Sequence, residues 1–292
     1  AIETEMDVFL LPEELGEIRT VRLRNNGDEE ALLEATSYFE VVGEGLGSDL
    51  AHPAFNNLFI RTEALEEQEG LLAYRRKRVT DNRDSWILHG IKSFESAADR
   101  FQYETNRGNF IGRGNGLKRP KALISKGLTD TTGIVLDPIM SASKKIKIQP
   151  KEQVEIYYIT AITQNKDDAV NILNKYDDIN SINMARELSN TKSKTEIGYL
   201  NLNRSNIRLY ENLLPRLFYS EENNKIKYTN ILKTNSRGKE GLWAQGISGD
   251  NPIVLITIKS MEGIKNLVEL INAHEYWSYK GLTVDLVILN ED

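Results

Sequence analysis

The stretch Glu152–Thr163, EQVEIYYITAIT, decides the fold class. Val154, Ile156, Tyr158 and Thr160 fall on one face, and Glu155, Tyr157, Ile159 and Ala161 on the other. A period of two in a run of β-branched and aromatic residues marks a strand. Upstream, Thr20–Arg24, Ala31–Val42, Leu58–Thr62, Gly70–Lys77, Asp84–Ile91, Thr132–Leu136 and Ser143–Ile148 read the same way. Asn25-Asn26-Gly27-Asp28 is a turn cluster, and Asn-Gly is a strong hairpin signal. Many strands joined by short Gly, Asn and Pro turns predict a sandwich rather than a parallel sheet.

Downstream of Thr163 the period changes. Asn165–Tyr176 reads as a helix, with Ala169, Ile172 and Leu173 on one face. Ile179–Leu200 and Arg204–Tyr219 continue as helices, and Pro215 is expected to kink or end the second of these. The polar stretches 221–224 and Asn235–Glu240 read as loops. Pro252–Lys259 is an apolar strand, Ser260–Tyr279 a helix ended by Gly281, and Leu282–Leu289 a second apolar strand. This is a β-α-β unit, expected to be parallel and right-handed. The expected division is a β-sandwich over 1–163, linker helices over 164–245 and a βαβ tail over 246–292.

Composition narrows the function classes. The 292 residues are 40% hydrophobic and 27% charged, which is globular composition. The net charge of −6 argues against general nucleic-acid binding, which wants a basic face. No apolar run is long enough for a bilayer span, and Ala1–Glu5 has neither part of a signal peptide. The absence of cysteine removes disulfides, thiolate metal sites and cysteine nucleophiles. His52, His89 and His274 show no metal-ligand spacing.

Two glycine clusters, RGNFIGRGNG (Arg107–Gly116) and GISGD (Gly246–Asp250), lack the context of a phosphate-cradling loop. Such a loop follows a strand and opens a helix, and neither cluster reads so. They are expected to be turns needing positive φ. The basic run Arg75–Arg78 is expected at a solvated strand edge, within reach of the acidic stretch Glu63–Glu69. With 43 acidic residues, no catalytic carboxylate pair can be singled out, and Asp137 and Asp250 read as turn or capping residues. Tyr74, Trp86 and Tyr103 lie on or near strands rich in Arg, Asn and Asp. That mixture suits a sugar, whose C–H faces stack on rings while its hydroxyls take polar partners. Aromatic residues of this kind also build sandwich cores.

Several strings carry a resemblance. TSYFEVV (Thr36–Val42) is followed by HPAFNNLFIRTE (His52–Glu63), FIGRGN (Phe110–Asn115) and TTGIVLDPI (Thr131–Ile139). GLWAQGISGDNPIVLITI (Gly241–Ile258) and AHEYWSYKGLTVDLVILNE (Ala273–Glu291) complete the set. In order and spacing they resemble the carbohydrate-binding domain repeated in bacterial cyclic β-1,2-glucan synthases. That domain is related to the N-terminal β-sandwich of glycoside hydrolase family 94, once called glycosyltransferase family 36.

The resemblance implies a mainly β fold with α: a galactose-mutarotase-like supersandwich, then linker helices, then the βαβ tail. Family members carry further sandwich sequence upstream of the part matching Ile2–Glu40. The family's catalytic acid lies in a helical barrel that has no counterpart in these strings. The implied role is therefore a non-catalytic carbohydrate-binding and spacer module. It would hold β-1,2-glucan or position neighbouring glycosyltransferase, transglycosylase and phosphorylase-like modules. The expected carbohydrate-contacting residues are Tyr74, Arg75, Trp86, His89, Tyr103 and Arg113, with no catalytic residue, metal or cofactor. The implied partners are the glucan and other domains of the same parent chain, with no nucleic acid and no membrane contact by this segment. The parent would be an inner-membrane protein, and this segment a portion on its cytoplasmic side.

Two other roles fit the same residues. A purely structural docking scaffold would expose an apolar patch, for which Phe218, Trp243 and Trp277 are the candidates. Part of a family 94-like phosphorylase active site would need a carboxylate with a raised pKa, with Asp137 and Asp250 the first to test.

Overall fold

The computed structural model describes residues 1–76, 85–94, 100–124, 127–219 and 226–291. Lys77 and Arg78 of the basic run, and the expected loop at 221–224, lie outside the described residues. By internal contacts the chain divides into two units, Ala1–Lys192 and Ser193–Asp292.

The first unit begins with β1 (Ile2–Leu10), β2 (Leu15–Asn25), β3 (Ala31–Thr36) and β4 (Phe39–Glu40). Two short helices, α1 (Leu46–Ala51) and α2 (Pro53–Asn57), lead to β5 (Ile60–Leu65), β6 (Gly70–Arg75), β7 (Trp86–Lys92) and β8 (Gln102–Asn106). Next come α3 (Arg107–Ile111), α4 (Lys121–Ile124), β9 (Pro138–Ile148), β10 (Gln153–Thr163) and α5 (Lys166–Lys175). The division between units falls inside α6 (Ile179–Tyr199).

Six strands form one sheet in the order β1-β2-β10-β7-β6-β5, and every neighbouring pair is antiparallel. In the second sheet β9 is central, with β3 and β4 along one side and β8 along the other. The alternation of β10 explains its position. Val154, Ile156 and Tyr158 pack into the core between the sheets, with Leu71, Ile91, Met140 and Ile146. Tyr157, Ile159 and Ala161 enter a second core on the outer face, with Leu72, Leu88, Leu173 and Ile182. A strand with helices on one face and a sheet on the other is apolar on both. The mainly β sandwich with added helices is thus as the alternation and the resemblance imply.

Asn165 caps α5, its side-chain oxygen accepting the Asp168 N–H at 2.8 Å. Leu173 of α5 then sits over the paired glycines Gly70 and Gly90. A Cβ on either glycine would lie 2.5 Å from a Leu173 methyl, so glycine is what lets the helix approach.

Two strand expectations need correction. Ala31–Val42 is not one strand, because it leaves the ladder between Thr36 and Phe39. There the Ser37 hydroxyl accepts the Ala142 N–H at 3.0 Å, in place of a backbone carbonyl. Thr132–Leu136 is not a strand either. Gly133 turns away at φ 103°, leaving single bridges from Gly133 to Thr62 and from Thr131 to Glu104. Those bridges tie β5 of one sheet to β8 of the other and close that side of the sandwich. On the opposite side, among the described residues, β1 and the β3–β4 edge have no strand beyond them.

The second unit contains α7 (Arg204–Phe218), α8 (Thr229–Thr234), a 3₁₀ turn (Lys239–Gln245), β11 (Ile253–Ile258), α9 (Ile264–Tyr279) and β12 (Asp285–Asn290). The β11–β12 pair is parallel, as the βαβ reading expects. Pro215 lies one turn before the end of α7. Gly281 follows α9 at φ 83°, the left-handed value the C-terminal glycine supplies. The core of this unit is Ile207, Tyr210, Ala273, Tyr276, Trp277 and Val284. Trp277 is therefore not part of an exposed patch. It is 2% exposed, with its indole N–H donating to the Tyr210 carbonyl at 3.2 Å. Phe218 and Trp243 are 56% and 61% exposed. His274 hydrogen-bonds through Nε2 to the Val284 carbonyl at 2.8 Å, a packing role.

Candidate functional site

The open side of the sandwich holds a cleft of about 650 Å³, lined from β1, β2 and the segment 33–39, with His89, Tyr158 and Thr160 at its floor. His89 is 2% exposed and its ring is fixed on every side. Nε2 lies 2.7 Å from the Ser37 hydroxyl and Nδ1 lies 3.0 Å from the Thr160 hydroxyl. The ring stacks parallel to Tyr158 at 5.9 Å and meets Phe39 edge-on at 5.0 Å. Burial, with the Arg19 cation adding to it, pushes the imidazole pKa down to about 3. The ring is neutral, so one hydroxyl gives it a proton and the other receives one.

A serine hydrogen-bonded to a histidine is the start of a nucleophilic arrangement. Here Thr160 stands where a carboxylate would have to stabilise an imidazolium. The group positions side chains and does not activate the serine. The rim is charged and aromatic. Arg19 pairs with Glu17 at 2.6 Å, and Glu34 accepts from the Ser143 hydroxyl at 3.1 Å. Tyr38 donates to Glu40 at 2.9 Å, and its ring packs tilted against Phe110, centroids 4.8 Å apart. Apolar walls with a few fixed polar groups are the makeup of a small-molecule site.

The six residues expected to touch carbohydrate lie in different places. Tyr74 and Trp86 come together. They are cross-strand partners on the outer face of the large sheet, with ring centroids 4.2 Å apart and planes 20° apart. Arg61 flanks this pair as the partner of Tyr74, and Thr163 as the partner of Trp86. Arg75, one residue on, points to the other face. It is ion-paired with Glu44 and lies over the Phe59 ring at 5.4 Å. It is thus half-buried and not at a solvated edge, because strand alternation carries it inward beside an apolar ring. Tyr103 is a core residue against Phe101, donating to Glu66 at 3.3 Å. His89 is the floor of the cleft just described. Arg113 is exposed and lines a second cleft.

That second cleft, of about 530 Å³, lies between the loop 106–117 and Leu136–Asp137. It corrects one expectation, since the first glycine cluster does follow a strand, β8, and does open a helix, α3. The helix is a single turn, and two of its N–H groups, of Gly108 and Asn109, are already taken by the Asn106 side chain at 2.9 and 3.4 Å. Gly112 and Gly114 adopt positive φ, 78° and 77°, as expected of turns. Arg107 bridges Glu40 at 2.9 Å and Asp137 at 3.4 Å.

Asp137 and Asp250 belong to different units. The Lys239 ammonium, hydrogen-bonded to Asp250 at 2.5 Å, holds that carboxyl below its ordinary range. Among the described residues, no group of three or more His, Cys, Asp and Glu side chains is placed to hold a metal ion. No described helix is long and apolar enough to cross a membrane.

The reading of the sequence missed Arg19, Glu34, Ser37, Tyr38 and Tyr158 at the inter-sheet cleft. Tyr158 carried a usable signal, its place on the Val154–Ile156 face. Ser37 and Tyr38 stood inside TSYFEVV, but no local signal set them apart.

Residues 1–179 match the supersandwich domain of glycosyl hydrolase 94. The chain belongs to that family. Over 291 residues it is 26% identical to the cyclic β-(1,2)-glucan synthase NdvB of Rhizobium meliloti (strain 1021). The match takes in 99% of this chain and 10% of that protein, so the chain spans about a tenth of the relative's length. Among solved structures, the Family GH92 inverting mannosidase from Bacteroides thetaiotaomicron VPI-5482 is matched at 12% identity and TM-score 0.28, over 63% of this chain and 18% of that one. A likeness at that level carries no argument about fold or function.

Proposed function

We propose that this chain is a carbohydrate-binding and spacer module of a cyclic β-1,2-glucan synthase. The observation that carries the reading is the inter-sheet cleft, where a neutral, immobilised His89 and the rings of Phe39 and Tyr158 lie beneath the charged Arg19–Glu17 rim. A glucose unit offers C–H faces to such rings and hydroxyls to such a rim. The relative's identity as a cyclic β-(1,2)-glucan synthase supports β-1,2-glucan as the ligand. The sandwich, 1–163, holds the chain of sugars. The helices over 164–245 and the tail over 246–292 lead to neighbouring domains of the parent polypeptide. The parent sits in the inner membrane, with this portion on its cytoplasmic side.

Calorimetric titration with linear β-1,2-glucooligosaccharides, against β-1,4-linked controls, tests this. Saturable heat with the β-1,2 series alone is expected, with affinity in the weak range of open glycan surfaces. Arg19→Ala abolishes the heat if the cleft is the site. Tyr74→Ala and Trp86→Ala abolish it if the outer-face aromatic pair is the site. No heat from a folded sample sinks the reading.

One set of observations favours a second reading, a docking scaffold. Phe218 and Trp243 are exposed, as are Ile253 and Leu255 on one face of β11. Parallel strands normally have both faces covered. In this reading the second unit receives the next domain of the parent chain and no glycan binds.

A further inference from the structure

Between Glu104 and Asp130 the sequence has six Lys or Arg residues and no Asp or Glu, in a chain whose net charge is −6. Lys126 lies outside the described residues. Arg107 is engaged by Glu40 and Asp137. Arg113, Lys118 and Arg119 are exposed, and among the described residues their side chains have no hydrogen-bond or ion-pair partner. Asp130, the first acid after the run, is held by Arg100 and by the Tyr103 N–H.

This loop is anchored. Phe110, Ile111, Ala122, Leu128 and Ile139 form a buried cluster beneath it, and Pro120 is buried within it. The cations are therefore displayed on a fixed support, which lowers the ordering cost of binding. Leu117 and Leu136, 57% and 78% exposed, line the same cleft as Arg113. Exposed leucines at a cleft, with cations beside them, have the anatomy of a protein interface, apolar contacts within a polar rim.

We infer that the cleft between loop 106–117 and Leu136–Asp137 docks an acidic polypeptide surface, one that seats an apolar side chain against Leu117 and Leu136 and sets carboxylates against Arg113, Lys118 and Arg119. Charge complementarity selects this occupant. A neutral glycan leaves the three cations unused, and no aromatic residue lines the cleft. An anionic lipid surface is flat, whereas the two leucines line a recess that also holds the Asp137 carboxylate. The inference stands whether or not the inter-sheet cleft holds glycan.

The test uses a labelled short peptide with a central leucine flanked by glutamates, followed by fluorescence anisotropy. Binding is expected to saturate, to weaken as salt rises, and to fall about tenfold in the triple variant R113Q/K118Q/R119Q. Leu117→Asp is expected to weaken it further, and a peptide with alanine for leucine binds less well to the unaltered chain. Circular dichroism confirms that these surface variants fold. Equal affinity for the triple variant overturns the inference. So does binding of phosphatidylglycerol vesicles without binding of the peptide, or salt-sensitive self-association of the unaltered chain that the triple variant abolishes.

Discussion

The Ser37 hydroxyl, from the break between β3 and β4 of the second sheet, lies 2.7 Å from His89 Nε2 on the first. With Thr160 on the other nitrogen, the imidazole ties the two sheets through a neutral ring. Its folded pKa, about 3, lies below the ordinary 6.5. The contribution of the neutral ring is therefore complete above about pH 6.5 and is lost as pH falls from there toward 3. Each pH unit in that window removes about 1.4 kcal/mol, so about 2 kcal/mol disappears between pH 7 and pH 5. Urea unfolding of the wild type and of His89→Gln at both pH values checks this. The variant is expected to be less stable at pH 7, with a shallower loss on acidification. Equal losses in the two proteins refute the assignment.

A second prediction concerns Leu173, which rests in the notch made by Gly70 and Gly90. Gly90→Ala puts a methyl 2.5 Å from Leu173 Cδ2, so the fully buried Leu173 side chain has to shift. Overpacking of this kind costs about 1–3 kcal/mol. Leu173→Ala in the same background should recover part of that cost, although alone it is destabilising. Additive losses in the double variant would place the strain elsewhere.

The same contacts show what the sequence could reveal. The alternation of EQVEIYYITAIT is legible because burial on both faces leaves a period of two in a single strand. The break at Ser37 is not, because it depends on Ala142, which lies far along the chain. Thr132–Leu136 keeps a strand-like composition, and the positive φ of Gly133 overrides it. Site partners are set by register. Nothing local pairs Arg75 with Glu44, or His89 with Ser37 and Thr160. Trp277 is different. Leu270, Ala273 and Trp277 follow helical spacing on one face of α9, so its burial could have been read from the sequence.

The edge strand β1 supports a third prediction. Met6, Val8 and Leu10 are 60%, 47% and 68% exposed on alternate positions, and the strand contains no lysine or proline to guard it. Its charges, Glu3, Glu5 and Asp7, stand on the alternate positions, and a long edge with an exposed apolar face pairs with other chains. Light scattering is expected to show concentration-dependent association, reduced by Met6→Lys and Val8→Lys. Both sites are exposed, so stability should move by about 0.5 kcal/mol or less. Unchanged association in both variants would exonerate the edge.

The last prediction separates the tryptophans of the second unit. Trp277 is buried among Tyr210, Ala273 and Tyr276, and its indole N–H satisfies the Tyr210 carbonyl. Trp277→Ala removes that packing and the indole hydrogen bond, at a cost of about 3–5 kcal/mol. Trp243 is exposed, and its N–H reaches only the Ser248 carbonyl within its own turn, at 3.3 Å. Trp243→Ser, with Phe218→Ser, should leave the melting temperature almost unchanged. A docking face would still notice the loss. If the second unit receives a neighbouring domain, the Trp243→Ser/Phe218→Ser variant weakens that association in the full parent chain, read as faster cleavage between the domains by a protease. An equal cleavage rate in wild type and variant argues that these two exposed rings are ordinary surface residues.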